Sequence, residues 1–188
     1  MTAAMLAPYR VLDLTDGRAE IATFMLAGLG ADVIKIEPPE GSASRRQAPL
    51  VEGEPSELAS LRFHAYNRGK RSIALDLDDS ADRADFDALV ASADFVFENS
   101  GAGTADSAGF GFEALRALCP DLVYVAISPF GQDGPYADYL STDLTVAAMG
   151  GSVALNGDPD RRPVRISVPQ TWLHGSAEAA LALSLIHI

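Results

Sequence analysis

Short apolar runs of strand length alternate with helix-length segments along most of the chain, and this alternation constrains the fold more than any other feature. Such runs begin near Val11, Val33, Ile73, Phe95 and Val123. The segments between them carry apolar residues at helical spacing. Strands separated by helices of this length imply right-handed crossovers between parallel strands. The sequence therefore predicts an α/β fold with a Rossmann-like, mainly parallel sheet and helices on both faces.

The residues that start and stop each element set its predicted bounds. We predict strands over residues 10–14, 32–36, 72–77, 94–97 and 122–127. The first helix covers residues 19–29 and ends at Gly30. Ser80 is expected to cap a helix that brings Phe86, Leu89 and Val90 to the core. Residues 40–60 are polar and contain Gly, Pro and Ser, which predicts a long loop.

Two helices have apolar faces that are expected to pack on the sheet. The face of the first helix consists of Ile21, Phe24, Met25, Leu26 and Leu29. The face of a last helix, from Gln170 onward, consists of Leu173, Ala177, Ala180, Leu181 and Leu185. This helix stops without a capping signal, so we interpret residues 1–188 as one domain that is incomplete at its C-terminus. Residues 184–188 are either native or a cloning or sequencing scar.

Charge and composition exclude several classes of function. The net charge of -12 counts against nucleic acid and acidic membranes as partners. Polar residues interrupt the apolar stretches well before the roughly 18 residues of a membrane span, and the start does not resemble a signal peptide, so we expect a cytoplasmic protein. The single cysteine, Cys119, has no metal-ligand spacing around it. We therefore expect a structural thiol and no metal.

Basic residues form three clusters in connections that contain Gly, Pro or Ser. They are solvated loop charges or local sites for anions, and the sequence leaves both interpretations open. The clusters are Arg45 with Arg46; Arg62, Arg68, Lys70 and Arg71; and Arg161, Arg162 and Arg165.

Three loops follow predicted strands, where open α/β sheets bind ligands. Residues 15–19 contain one glycine, so the three-glycine dinucleotide fingerprint is absent and NAD is disfavoured. Arg18 in this loop places a phosphate-binding cation at a helix start. Small residues at 98–103 permit close approach of a ligand or form a flexible turn. Residues 130–136 form a loop at the end of the fifth strand with no identifiable chemical partner.

Several motifs occur in a diagnostic order. V-L-D-L covers residues 11–14, L-G-A-D-V-I-K-I-E-P-P covers residues 29–39, and N-R-G-K-R-S-I-A-L-D covers residues 67–76. They are followed by D-F-V-F-E-N at residues 94–99, P-D-L-V-Y at residues 120–124 and S-x-F-G-Q-x-G-P-Y at residues 128–136. In this order the motifs resemble those of class III (CaiB/BaiF) coenzyme A transferases and the related acyl-CoA racemases. The resemblance covers nearly the whole chain.

The resemblance implies an enzyme that moves coenzyme A from an acyl-CoA to a carboxylic acid, with the coenzyme as substrate. It implies an interlaced homodimer, or a tandem protein whose two units pair within one chain. In the family an aspartate attacks the thioester to give a mixed anhydride, and the returning thiolate then gives an aspartyl-CoA thioester. The phosphates of coenzyme A would explain local cations in an acidic protein. By correspondence with family contacts, the coenzyme-binding residues are Arg18, Leu75, Asn99, Ser100 and Gly101; Lys70 and Arg71 are added as cations near phosphate.

The chain departs from the family pattern where the chemistry takes place. The position of the family's aspartate, after Val168-Pro169, is Trp172, so we assign no catalytic residue. Thr142 replaces the histidine of the racemase pair. The usual A-G-P after the first strand is replaced as well, around residues 18–21. Possible substitutes for the lost carboxylate are His174 and Asp143.

Four interpretations remain open at this point. The chain is the leading unit of a tandem transferase whose nucleophile lies downstream, or it is a degenerate homologue. It is alternatively a non-catalytic acyl-CoA-binding or scaffolding module, or a racemase-like enzyme. The residues do not identify the acyl donor, the acceptor acid or the pathway.

Overall fold

The computed structural model describes residues 4–186, and side chains as far as residue 183. Five parallel strands form one sheet in the order β3-β2-β1-β4-β5. The predicted α/β fold with a parallel sheet is confirmed, and all five predicted strands belong to the sheet. The strands are β1 (Arg10–Asp13), β2 (Asp32–Glu37), β3 (Arg71–Ala74), β4 (Phe95–Glu98) and β5 (Val123–Ala126).

Helices connect the strands and extend beyond the last one. A 3-10 turn, Ala43–Arg46, lies within the loop after β2. The helices are α1 (Glu20–Gly28), α2 (Leu61–Asn67), α3 (Ser80–Val90), α4 (Thr104–Ser107), α5 (Phe112–Leu118), α6 (Asp143–Met149) and α7 (Thr171–Ile186).

The two faces of the sheet are covered by different helices, as predicted. Val11 and Phe97 contact the apolar cluster that includes residues of α1 and α7. Leu12 and Val96, on the other face, belong to the cluster that includes residues of α3 and α5. Neighbouring residues of a strand point to opposite faces, which explains this division. Each such fully buried side chain contributes about 1.5–3 kcal/mol.

The apolar faces of α1 and α7 agree only in part with the sequence prediction: Leu26 and Ala180 are buried as predicted, and other positions differ. In α1 the small residues Ala22 and Thr23 are buried, whereas Met25 and Leu29 are exposed. In α7 the buried positions are Ser176, Ala180 and Leu183, and Leu181 is 52% exposed. Small side chains lie at the contact because α1 and α7 pack against each other on one face of the sheet. The side chain of residue 185 lies outside the described part.

Several boundaries also differ from the prediction. Asp79, rather than Ser80, caps α3 by accepting hydrogen bonds from two backbone N–H groups of the first turn. β3 ends at Ala74, three residues earlier than predicted, although the Leu75 N–H still bonds the Glu37 carbonyl of β2 (2.8 Å). Gly30 does follow the end of α1, with a φ of 100° that glycine adopts without strain. The short helices α2, α4 and α6 had no clear signal in the sequence.

A buried ion pair closes the carboxyl end of β2. The Arg45 guanidinium donates two hydrogen bonds to Glu37 (2.6 and 2.7 Å), and the Ser72 hydroxyl donates a third (2.6 Å). Burial alone would raise the pKa of Glu37, but the bonds from Arg45 and Ser72 outweigh it and hold the pKa at about 2. Arg45, one of the two residues of the first basic cluster, therefore has a structural role.

We expect this ion pair to make stability depend on pH. The folded pKa of Glu37, about 2, lies below its ordinary value of 4.5, so its contribution is complete above about pH 4.5 and is lost as pH falls toward 2. The contribution is about 3 kcal/mol. Glu37→Gln should remove it at neutral pH and flatten the acid limb, as measured by urea unfolding from neutral to acid pH. Parallel pH profiles for the variant and the wild type would contradict the assignment.

Candidate functional site

The order of the strands reverses direction between β1 and β4. Open α/β sheets bind ligands in the crevice at such a switch point, beyond the carboxyl ends of the strands. The two loops that flank the switch point are residues 15–18, which follow β1 (the β1 loop), and residues 99–101, which follow β4, and we call the space between them the crevice.

The first two residues of the β1 loop are held from the sheet. The Thr15 N–H (3.0 Å) and hydroxyl (2.6 Å) both donate to the Asp13 carboxylate. The Asp16 N–H donates to the Asn99 side-chain oxygen (2.9 Å), and the Asn99 amide donates back to the Asp16 carboxylate (2.7 Å). These reciprocal bonds join the two sides of the crevice.

The next two residues are held by helices. The Gly17 carbonyl accepts a hydrogen bond from Arg62 of α2 (2.9 Å). The Arg18 carbonyl lies 3.1 Å from the Ser176 hydroxyl of α7, which shares its proton with the closer Trp172 carbonyl (2.6 Å). Four consecutive residues of the loop are thus fixed by different parts of the fold, which leaves the loop little freedom.

Arg18 presents a cation at the mouth of the crevice. Its Nε and Nη2 donate to the two oxygens of Asp16 (3.1 Å each), and Nη2 also donates to the Asn99 carbonyl (3.3 Å). The guanidinium lies 5.4 Å from the centre of the Trp172 ring, within cation–π range. Burial would raise the pKa of Asp16, but the bonds from Arg18 and Asn99 hold it below its usual value. Among residues 4–183, Nη1 has no hydrogen-bond partner and can bind an anion.

Ser100 and Gly101 complete the β4 side of the crevice. The Ser100 N–H (2.7 Å) and hydroxyl (2.5 Å) both donate to the buried carboxylate of Glu98. Gly101 has a φ of 100°, which strains any residue with a side chain. The structure therefore brings together four of the residues that the sequence analysis selected.

Leu75 lines a cavity of about 340 Å³ beyond the ends of β1, β2 and β3. That volume lies in the range of about 300–1,000 Å³ that ligand pockets occupy. The walls are mostly apolar, and the acidic residues among them are Glu37, Asp76 and Asp78. The apolar lining includes Leu14, Ile36, Leu75, Leu77 and Phe110.

The structure buries Lys70 beneath the β1 loop and places Arg71 at the amino ends of the strands, away from the crevice. The three N–H groups of Lys70 are used by Asp13 (2.8 Å), the Glu20 carbonyl (3.0 Å) and Asn67 (2.8 Å). Arg71 begins β3 and pairs with Asp32 at the start of β2 (2.6 Å). Contacts of these two cations with a coenzyme remain a prediction. The expectation that their basic cluster lies in a connection is wrong in part, because Arg71 is in a strand and Arg62 is in a helix.

Asp13, Glu20, Lys35 and Lys70 form a buried charge cluster beneath the β1 loop. Their side chains are at most 1% exposed. The Lys35 ammonium lies 3.0 Å from Glu20 and 4.0 Å from Asp13, and it donates to the Thr15 carbonyl (2.7 Å). Burial would lower the pKa of Lys35, but the charges of Asp13 and Glu20 raise it above its usual value. Burial lowers the pKa of Lys70.

The sequence analysis missed this cluster, although a signal was present. Asp13 and Lys35 are charged residues inside apolar strand runs, and both lie in the motifs that carried the family resemblance. Charged residues are almost never fully buried unless they are paired. Which charges pair depends on the strand order, which the motifs do not contain.

Comparison with known proteins decides the family. The sequence model of CoA-transferase family III matches residues 6–186. The chain belongs to CoA-transferase family III. One relative, the succinyl-CoA:(R)-benzylsuccinate CoA-transferase subunit BbsE of Thauera aromatica, is 37% identical over 94% of this chain and 43% of its own length. Another, the succinate–glutarate CoA-transferase of Agrobacterium fabrum, is 40% identical over 87% of this chain and 42% of its own length.

A solved structure agrees with this membership. The crystal structure of a CaiB/BaiF family protein from Brucella suis is 38% identical, with a TM-score of 0.84. The match covers 99% of this chain and 50% of that one. The chain thus spans half the length, or less, of these relatives.

In this family III chain, the position assigned to the aspartate nucleophile adjoins the crevice. Trp172 is the second residue of α7 and stacks with Arg18. Asp143 accepts two hydrogen bonds from Thr171, through N–H (2.8 Å) and hydroxyl (2.5 Å). Burial would raise the pKa of Asp143, but these bonds lower it, so the carboxylate caps the start of α7. His174 is exposed on α7.

Metal sites and membrane spans were searched for in the part of the chain that the structure describes. There, no group of three or more His, Cys, Asp or Glu side chains converges in a way that could hold a metal ion. None of the helices in that part combines the length and the hydrophobicity needed to cross a membrane.

Proposed function

We propose that this family III chain binds the coenzyme A part of an acyl-CoA in the switch-point crevice, and that a second unit supplies the aspartate for transfer to a carboxylic acid. The observation that carries the proposal is the cluster of Asp16, Arg18 and Asn99 at the switch point, next to Trp172, the residue that we assign to the nucleophile's position. The relatives are named as CoA-transferases acting on succinyl-CoA or glutarate, which supports this class of reaction.

The chemistry divides between the two units. In the second unit, an aspartate oxygen would bond to the thioester carbonyl carbon, and the C–S bond would break to release the thiolate. The thiolate would then attack the aspartyl carbonyl of the mixed anhydride and release the first acid, before the acceptor carboxylate repeats the exchange. Our chain would hold the coenzyme, with Arg18 Nη1 donating to an anionic group. The cavity at Leu75 would receive the flat adenine ring.

Exposed apolar side chains support the need for a second unit. Leu140 is 99% exposed and Leu155 is 88% exposed. Exposed apolar side chains that are concentrated in one segment are typical of a surface that another unit covers. The partner is a second copy in a homodimer or the other unit of a tandem chain. A cytoplasmic location, without nucleic acid or membrane as partners, completes the proposal. Leu140 and Leu155 lie in the segment of residues 136–168. Further exposed apolar residues in this segment are Tyr136, Tyr139, Leu144, Met149, Val164, Ile166 and Val168.

A non-catalytic acyl-CoA-binding module is the second candidate. It is favoured by Trp172, because an indole ring cannot attack a thioester, and by the capping role of Asp143. The two candidates predict the same binding and differ in whether a partner unit turns the bound acyl-CoA over. A racemase has less support, since Thr142, at the position of the racemase histidine, caps α6 instead.

Calorimetry with coenzyme A tests the binding site. We expect Arg18→Ala and Asn99→Ala each to weaken binding by about tenfold or more, because each removes a charge-assisted contact or a clamp of the β1 loop. Arg116→Ala is the matched control, because its guanidinium stacks on Phe112 in α5, outside the crevice. An unchanged affinity for coenzyme A in both Arg18→Ala and Asn99→Ala would contradict binding in the crevice.

A further inference from the structure

We propose that Asp13 and Lys35 are positioning residues for coenzyme binding, because they fix the backbone of the β1 loop from beneath. This inference rests on the proposed function. Together the two side chains bond all three polar groups of Thr15: Asp13 accepts from the N–H and the hydroxyl, and Lys35 donates to the carbonyl. Neither side chain touches the crevice itself, since both are buried.

A contribution to stability does not by itself explain why Asp13 and Lys35 are charged residues. A buried ion pair can often be replaced by apolar residues of similar volume without loss of stability. Lys35 lies within β2 beside the buried apolar residues Ile34 and Ile36, where a methionine would also fit the pattern. What an apolar side chain cannot supply is the 2.7 Å hydrogen bond to the Thr15 carbonyl. The position of the ammonium is therefore explained by the loop that it holds.

The effect passes along the loop to the crevice. Thr15 precedes Asp16, whose carboxylate orients the Arg18 guanidinium through two 3.1 Å bonds. A rotation of the Thr15 peptide would displace Asp16 from Asn99 and turn Arg18 away from the crevice. A binding group that is held in place before the ligand arrives costs less ordering on binding. Loss of Lys35 should thus weaken binding without removing any direct contact.

A charge-balanced double variant, Lys35→Met with Glu20→Gln, tests the inference in the full chain. It removes one cation and one anion and keeps the pair of Asp13 with Lys70 (2.8 Å). We expect the affinity for coenzyme A, measured by calorimetry, to fall about tenfold, the equivalent of one charge-assisted hydrogen bond. The control is Arg10→Gln, which removes an ion pair with Asp32 at the amino ends of β1 and β2, keeps the pair of Asp32 with Arg71 and should leave affinity unchanged.

A second variant, Thr15→Val, keeps all four charges and removes the hydroxyl bond to Asp13. Thr15→Val should also weaken the binding of coenzyme A, and it tests the inference if the double variant does not fold. Unchanged affinity in folded variants overturns the inference. If the wild-type chain binds no coenzyme A, the proposed function fails separately. Amide hydrogen exchange of residues 15–18 then decides: faster exchange in the double variant than in the control supports the inference, and equal exchange overturns it.

Discussion

We expect the 188-residue chain to transfer no coenzyme A between acids, and we expect Trp172→Asp alone not to restore transfer. Removal of a covalent nucleophile closes the anhydride route and leaves only binding effects. The carboxylates around the crevice have other tasks: Asp16 orients Arg18, and Asp143 caps α7. A new aspartate would also lie beside the Arg18 guanidinium, where an ion pair would lower its nucleophilicity. Nucleophilic catalysis requires reacting atoms within about 3–3.5 Å in a pre-organised pocket.

The assay mixes the purified chain with short acyl-CoA donors and free acids, and follows exchange by mass spectrometry. A sample without protein gives the background, and both the wild type and the variant should match it. Steady transfer by the wild type above background would show that the nucleophile has been misplaced. Asp143→Asn would then be the first variant to make.

The largest effect on stability is expected for Lys35→Met as a single change. It leaves Asp13 and Glu20 buried with Lys70 as the remaining cation of the cluster. Breaking a buried pair by removing one partner costs about 3–5 kcal/mol, because an uncompensated charge stays in the interior. That is a large share of a typical unfolding free energy of about 5–15 kcal/mol. Urea unfolding at neutral pH, followed by circular dichroism, measures the loss.

The double variant Lys35→Met with Glu20→Gln is the matched control for this stability change. It should be clearly more stable than the single variant, because the two buried charges disappear together. Equal unfolding free energies for the two variants would show that Glu20 is not compensated by Lys35. If Lys35→Met lowers the unfolding free energy by less than about 1 kcal/mol, the ion pair of Lys35 with Glu20 behaves as an exposed pair, which would contradict its burial.

The sequence was sufficient to predict the strands, the parallel sheet and the family. Strand runs such as residues 122–127 are local patterns, and parallel pairing follows from the helices between them. The motifs also selected Arg18, Asn99, Ser100 and Gly101, which the structure brings to one crevice. They did not predict that Met25 and Leu181 would be exposed. A helix face depends on the neighbour that it packs against, and α1 packs against α7 from the far end of the chain.

What the sequence by itself determined was therefore the order of the elements and the family, and its motifs predict that residue 172 replaces the family's carboxylate. The tertiary structure alone decided which charges are available to a ligand. Lys70 and Arg18 look alike as cations in the sequence, yet Lys70 is enclosed by Asp13, Glu20 and Asn67. Arg18, by contrast, has one nitrogen with no hydrogen-bond partner among the side chains that the structure describes. The partners of a buried charge come from distant segments, and burial makes those partners necessary. Their identity follows from the strand order, which places β2 directly beside β1 and β3 on the far side of β2.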